Sequence, residues 1–231
     1  MILHIPHSST KMINGIKVSN LQYNLNQFTD WYTDDLFSGY SQIVFKYSRL
    51  CVDVERFKND KMNKIGKGIF YSTDINGDDI KRRISNNTLM RLYNNHHNSL
   101  IEVIKQQLKE QHNVIIVDCH SFPMKPFPWE NNNKRPDICI GIDTYHTPKD
   151  LITTLKKYFE SCNLVVDINI PYVGTIIPNQ FYKKSYVKSI MIEVNRNLYL
   201  NDKYNKNYYY HNIKTNIKNA LNIINEWEIK E

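Results

Sequence analysis

Three short stretches, far apart in a chain of 231 residues, each combine an apolar run with polar groups able to bind a metal. They are Ile5-Pro6-His7-Ser8-Ser9, Val117-Asp118-Cys119-His120-Ser121 and Met191-Ile192-Glu193-Val194-Asn195-Arg196. Two imidazoles and a carboxylate converging from strand ends can hold Zn²⁺ and leave one position open for water. That ligand set points to hydrolysis. Asp118 lies two residues from His120, on the same face of an extended strand, where it can orient the ring. Glu193 ends the aliphatic run Ile190–Ile192, a setting that raises a carboxyl pKa towards the range of a general base. Asn195 and Arg196 follow it as expected positioning partners.

Other candidates are less specific. Asp30 opens a predicted helix and Asp34 shares its face, so spacing leaves two choices for a carboxylate ligand. Arg49 and Arg56 flank Leu50–Val54, with Asp53 and Glu55 beside Arg56. A guanidinium there suits an oxyanion or a substrate carboxylate, although an Arg56–Asp53 pair is equally a structural ion pair. His4 lies within the first predicted strand and reads as a structural residue.

An α/β sheet delivers side chains to a site at its strand ends, and the chain has the required alternation. Strands are predicted over Ile2–Ile5, Gln42–Phe45, Leu50–Val54, Asn113–Asp118, Asp137–Ile142, Asn163–Asn169 and Ser189–Val194. Several are nearly continuous apolar runs, as strands buried on both faces should be. Helical patterns cover Asp30–Tyr40 with Thr29 as N-cap, Asn86–Gln111, Thr147–Ser161 with Thr147 as cap, and Asn207–Glu228. Together they predict one α/β domain over residues 1–231, three α/β/α layers around a mostly parallel central sheet. Lys58–Asp79 and Ser121–Pro136 break the pattern directly after candidate motifs, and read as loops that wall a pocket.

Composition narrows the function classes. Hydrophobic residues make up 41%, and no apolar run approaches the length of a membrane span. The start, Met1-Ile2-Leu3-His4-Ile5, lacks the features of a signal peptide, so a cytoplasmic location is the expectation. The formal charge is +7, yet the lysines are interleaved with Asn, Tyr and Ile. No basic block or arginine-rich helix stands out, which favours a solvated surface over a nucleic-acid interface. The four cysteines form no Cys-x-x-Cys pair. Cys51, Cys119 and Cys139 sit in apolar runs, as buried thiols of a reducing compartment do.

In this order the motifs resemble the N-formylglutamate amidohydrolase family, relatives of the zinc carboxypeptidases and aspartoacylase. Ile-Pro-His-Ser-Ser at 5–9 resembles the family's first zinc loop, and Asp30 through Phe37 its acidic helix. Ser48 through Arg56 resembles its Arg…Asp-x-Asn-Arg strand, and Tyr93-Asn94-Asn95-His96-His97 puts His97 in a histidine's place. Asp118-Cys119-His120-Ser121 is the most distinctive match. Arg135 through Gly141, Pro171-Tyr172-Val173-Gly174 and Ile192 through Tyr199 follow in the family order.

The resemblance implies a zinc-carboxypeptidase-like fold and a zinc-dependent amidohydrolase acting on a small N-acyl amino acid or related amide. It implies one Zn²⁺ per chain held by His7, His120 and an acidic residue, with Asp30 favoured over Asp34. Glu193 would be the base, Arg49 would polarise the scissile carbonyl, and Arg56 would hold a substrate carboxylate. Tyr172, Gly174 and Arg196 would line the substrate site. One position departs: Glu55 stands where the family usually has Asn. Beside Arg56 it is expected to neutralise the arginine and turn preference away from dicarboxylates such as N-formylglutamate. The competing expectation is a metal-free relative that binds a ligand or partner without turnover.

Overall fold

The computed structural model describes residues 1–131 and 134–230. Its strands are β1 (Ile2–Ile5), β2 (Ile16–Lys17), β3 (Ser41–Val44), β4 (Lys81–Arg82), β5 (Val114–Phe122), β6 (Ile138–Gly141), β7 (Val166–Ile168) and β8 (Val187–Asn195). Its α-helices are α1 (Leu21–Phe28), α2 (Thr33–Leu36), α3 (Asn86–Glu110), α4 (Lys149–Ser161) and α5 (Tyr210–Lys230). Six strands form one sheet in the order β3-β1-β5-β8-β6-β7, parallel throughout except where β6 meets β8. β2 and β4 make a separate antiparallel pair. This is the mostly parallel α/β architecture that the alternation predicts. No helix among the described residues is long and apolar enough to cross a membrane.

Alternation along the strands divides the core between two layers. Leu3, Ile5, Ile115, Val117, Cys119, Ile190, Ile192 and Val194 pack with residues of α2, α4 and α5. Ile2, Val114, Ile116 and Val187 face the other way, against Leu100 and Ile104 of α3. His4, Asp118, His120 and Glu193 share that second parity, so the polar groups line up on the face that α3 covers.

Three local expectations need correcting. Leu50–Val54 is not a strand but a turn-rich segment, with Cys51 N–H donating to Ser48 O and Asp53 N–H to Ile69 O. Its apolar side chains pack with Ile16, Leu25, Phe28 and Tyr71 in a cluster under the loops. A short apolar run is the same in sequence whether it enters a sheet or plugs a loop. The helix expected over Asp30–Tyr40 is only the single turn of α2, and Thr29 instead ends α1, its N–H donating to Leu25 O. Thr147 does not cap α4; its hydroxyl donates to Ser189 O and ties the helix start to β8.

Gly141 marks a close approach at the end of β6. A Cβ there would lie 2.3 Å from Gly174 O and 2.2 Å from Met191 Cε. Met191 can move, but the backbone carbonyl cannot move without shifting the Pro171–Gly174 segment. Gly141→Ala is therefore expected to cost about 1–3 kcal/mol, the usual range for overpacking. Chemical denaturation checks this; an unchanged midpoint would mean the segment yields freely.

Candidate active site

The register of the central strands assembles the site. β1 and β5 pair His4 with Asp118, and β5 and β8 pair His120 with Glu193. His7 lies just past the end of β1, and Asp30 is joined to it by its own N–H donating to His7 O at 3.0 Å. Asp30 Oδ2 is thereby placed 3.1 Å from His120 Nδ1 and 3.7 Å from His7 Nδ1. These three residues are buried and form a set that could hold a metal ion. Asp34 is exposed and stands outside it.

The far nitrogens of both rings are already used. His7 Nε2 lies 2.8 Å from Asp53 Oδ1, and His120 Nε2 lies 3.0 Å from Asp118 Oδ1. A carboxylate that accepts the Nε2 proton leaves the Nδ1 lone pair for a ligand. His7 Nδ1 is buried and has no hydrogen-bond partner among the described residues. An orphaned imidazole lone pair beside a second imidazole and a carboxylate is what a zinc site requires.

Charge is balanced within this network. Burial works against the Asp30 carboxylate, but His120, His7 and Arg196 outweigh it and hold its pKa well below the usual range. Asp53 is likewise held ionised against burial by Arg49, His7 and Arg56. Glu193 behaves oppositely. Burial, reinforced by Asp30 and Asp118, pushes its carboxyl up to about 8 despite the opposing pull of His120 and Arg196. Glu193 Oε2 is buried and also lacks a partner among the described residues.

That shift has a consequence for the metal-free protein. Between the ordinary value of 4.5 and about 8, the unfolded chain releases a proton that the folded chain keeps. Stability then falls as pH rises through this window. Metal-free Glu193→Gln should melt higher than metal-free wild type at about pH 8, with the gap closing towards about pH 4.5. A gap independent of pH would assign the effect to packing instead.

These groups open into a cavity of about 660 Å³, which Arg49, Glu55, Arg56, Tyr172, Gly174 and Arg196 also line. Both segments expected as loops contribute to its wall, through Asp60, Lys61, Met62 and Tyr71, and through Pro123, Phe127, Trp129 and Glu130. Arg49 grips Asp53 Oδ2 with Nε at 3.1 Å and Nη2 at 2.8 Å. Arg56 is held more loosely, its Nε 3.7 Å from Asp53 Oδ2 and its Nη1 4.0 Å from Asp60 Oδ2.

Several expected roles shift. Glu55 is not the partner of Arg56; its Oε1 lies 3.1 Å from His4 Nδ1, so Asp53 and Asp60 are the carboxylates beside that arginine. Arg196 is not a positioning partner of Glu193 and has little left for a substrate. Its guanidinium donates to Asp30 Oδ1, to Ser121 Oγ and O, and to Gln27 O, which fixes the Asp30 carboxylate. Asn195 turns away to Pro136 O. His97 bonds Val54 O, while the neighbouring His96 reaches the cluster through His4. Burial, with the charge of His4 adding, lowers the His96 pKa to about 2 and keeps it neutral.

Sequence reasoning misses Asp53 as the support of His7, because the apolar segment carrying it reads as a strand. It also missed His4, whose spacing to His7 and apolar flanks carry no sign of its partners. A third omission is an aromatic wall in which Phe127 stacks on Trp129 at 5.0 Å and on Phe28 at 5.4 Å. The Phe127-Pro128-Trp129 triplet in an otherwise polar loop was its one signal.

Comparison with known proteins follows the same lines. The family described as N-formylglutamate amidohydrolase matches residues 1–200. Among solved structures, an N-formylglutamate amidohydrolase from Ralstonia eutropha JMP134 superimposes with a TM-score of 0.85 at 17% identity, covering 99% of this chain and 94% of its own. A gene product of Agrobacterium tumefaciens gives a TM-score of 0.62 at 18% identity, covering 97% and 91%. No curated protein matches the sequence.

Proposed function

The chain belongs to the N-formylglutamate amidohydrolase family, and from this we propose that it hydrolyses the amide of a small N-acyl amino acid with one zinc ion held by His7, Asp30 and His120. The observation that carries the reading is the paired histidines. Each gives its Nε2 to a buried carboxylate and presents its Nδ1 beside Asp30, and the His7 lone pair is otherwise without a use.

Zinc bound there would lower the pKa of a water molecule and polarise the scissile carbonyl. The chain's own groups do the rest. Glu193 accepts the proton of the water that attacks the acyl carbon, and returns it to the departing nitrogen as the C–N bond breaks. Its burial, which disfavours the charged carboxylate, suits it to take up a proton and hand it on. Arg49, anchored through Nε and Nη2, turns its remaining donors to the oxygen on which negative charge develops. Arg56 holds a substrate carboxylate. Tyr172 and Gly174 shape the opposite wall, and Arg196 keeps Asp30 in place. Because Glu55 is directed at His4, Arg56 keeps its charge, so N-formylglutamate is a suitable substrate after all.

The test is direct. Purified protein should contain zinc and release formate from N-formylglutamate; chelation should abolish turnover and Zn²⁺ should restore it. His7→Ala should lose most of the zinc while the sheet stays folded by circular dichroism. Full turnover by zinc-free protein would end the metal reading. Zinc-free protein that binds N-formylglutamate without cleaving it would favour a ligand-binding relative.

A further inference from the structure

Behind the His7–Asp30–His120 set lies a second convergence of ligand atoms, of which the proposed reaction uses only Asp118, as the support of His120. His4 Nδ1 is 2.9 Å from Asp118 Oδ1 and 3.1 Å from Glu55 Oε1. We propose that His4 Nδ1, Glu55 Oε1 and Asp118 Oδ1 form a second cation site that takes a divalent ion such as Zn²⁺ or Mn²⁺, in addition to the ion at His7, Asp30 and His120.

Four observations support it. First, the ligand atoms outnumber the protons available. The single proton on His4 Nδ1 is directed to Asp118, and Glu55 Oε1 is buried with no hydrogen-bond partner among the described residues. All three atoms lie within 4.8 Å of one another, so an ion about 2 Å from each would satisfy their lone pairs.

Second, the far side of His4 is prepared for ligation. Its Nε2 lies 2.8 Å from His96 Nε2, so a proton there can be donated to a neutral imidazole. This repeats the support that Asp53 gives His7 and Asp118 gives His120. Third, charge is uneven without an ion. The side chain of Asp118 is fully buried and that of Glu55 is only 15% exposed; among the described residues His4 is the one imidazole within 3.5 Å of Glu55, and Asp118 shares it while also accepting from His120. Arg49 and Arg56 are directed at Asp53 instead. A dication there would take the place that the proton on His4 Nδ1 holds between the two carboxylates, and adds one further positive charge against them. Fourth, Glu55 and Asp118 line the cavity, so an ion reaches them without unfolding.

One imidazole with two carboxylates is a borderline-to-hard donor set, which suits Zn²⁺ or Mn²⁺ over soft metals. Asp118 Oδ1 also accepts from His120 Nε2, so this ion shares a ligand with the first centre's support and binds more weakly than the first. The purified protein would then carry the first zinc and fill the second site only when metal is supplied.

Zinc-loaded wild type is titrated with Zn²⁺, and separately with Mn²⁺, by calorimetry, and crystals soaked in Mn²⁺ are examined by anomalous diffraction. The expected result is one further equivalent per chain, an anomalous peak between His4 and Asp118, and affinity lowered about 10- to 100-fold or more in Glu55→Gln. His7→Ala, deprived of the first ion, should still take up this one. No further uptake by wild type, equal uptake by Glu55→Gln, or a peak elsewhere would overturn the proposal. Loss of zinc from His7→Ala with no second equivalent in wild type would leave the first site standing and remove the second. Uptake abolished by Glu55→Gln and untouched by His7→Ala in protein that holds only one ion would do the reverse.

Discussion

Glu193→Gln is expected to hold zinc as wild type does and to lose turnover by roughly 10²- to 10⁴-fold, the usual contribution of a general base. The amide keeps the size and shape of the carboxyl, so the neighbours on β5 and β6 need not move. What it cannot do is carry the proton from water to the leaving nitrogen. The loss should fall on kcat more than on KM, because Glu193 is not among the groups proposed to hold the substrate. Metal content and steady-state kinetics on N-formylglutamate, measured on one preparation, decide it. Turnover within a few-fold of wild type with zinc intact would remove Glu193 from the chemistry.

Asp53→Asn should produce the largest loss of stability. The carboxylate is fully buried and accepts from His7 Nε2, from two nitrogens of Arg49, from the Tyr71 hydroxyl and from Glu55 N–H. An amide in its place keeps the shape but leaves Arg49 without its ion-pair partner, and Arg56 without its nearer one. Breaking a buried pair from one side costs about 3–5 kcal/mol. His7 also loses the acceptor that fixes its ring, which should weaken zinc binding by about 10- to 100-fold. Denaturant unfolding and a competitive zinc titration measure the two effects. A variant with wild-type stability and affinity would show that the network tolerates the missing charge.

What the sequence disclosed follows from burial. β1, β5 and β8 are apolar for most of their length because both faces are covered, so the few polar residues in them stand out. His120 and Glu193 were legible for that reason, and His7 because it directly follows the apolar run of β1. The apolar pattern ends β5 at Asp118, yet the strand continues to Phe122. Asp118, His120 and Ser121 look like a strand's end only because their partners, Asp30, His4 and Arg196, are distant in sequence.

The parts that were not legible depend on packing that a linear pattern does not carry. Leu50–Val54 is as apolar as a core strand, and only its contacts with Phe28 and Tyr71 reveal a plug under loops. α1 buries just Asn24, Leu25 and Phe28, too narrow a stripe to announce a helix. His4 and His96 are 92 residues apart and meet only once α3 lies across the sheet.

The position of β8 bears on how this protein is made. It is the last strand of the sheet in chain order but lies in its middle, hydrogen-bonded to β5 on one side and β6 on the other. A ribosome synthesising the chain delivers His7, Asp30 and His120 long before residue 187 emerges. Until then β5 and β6 lack the strand that hydrogen-bonds to both of them in the folded sheet and that carries Glu193. Every shorter product of synthesis carries the proposed metal ligands but lacks the proposed base. On the proposed mechanism the nascent chain stays silent until its central strand is inserted, and activity follows the closing of the sheet rather than the emergence of the ligands.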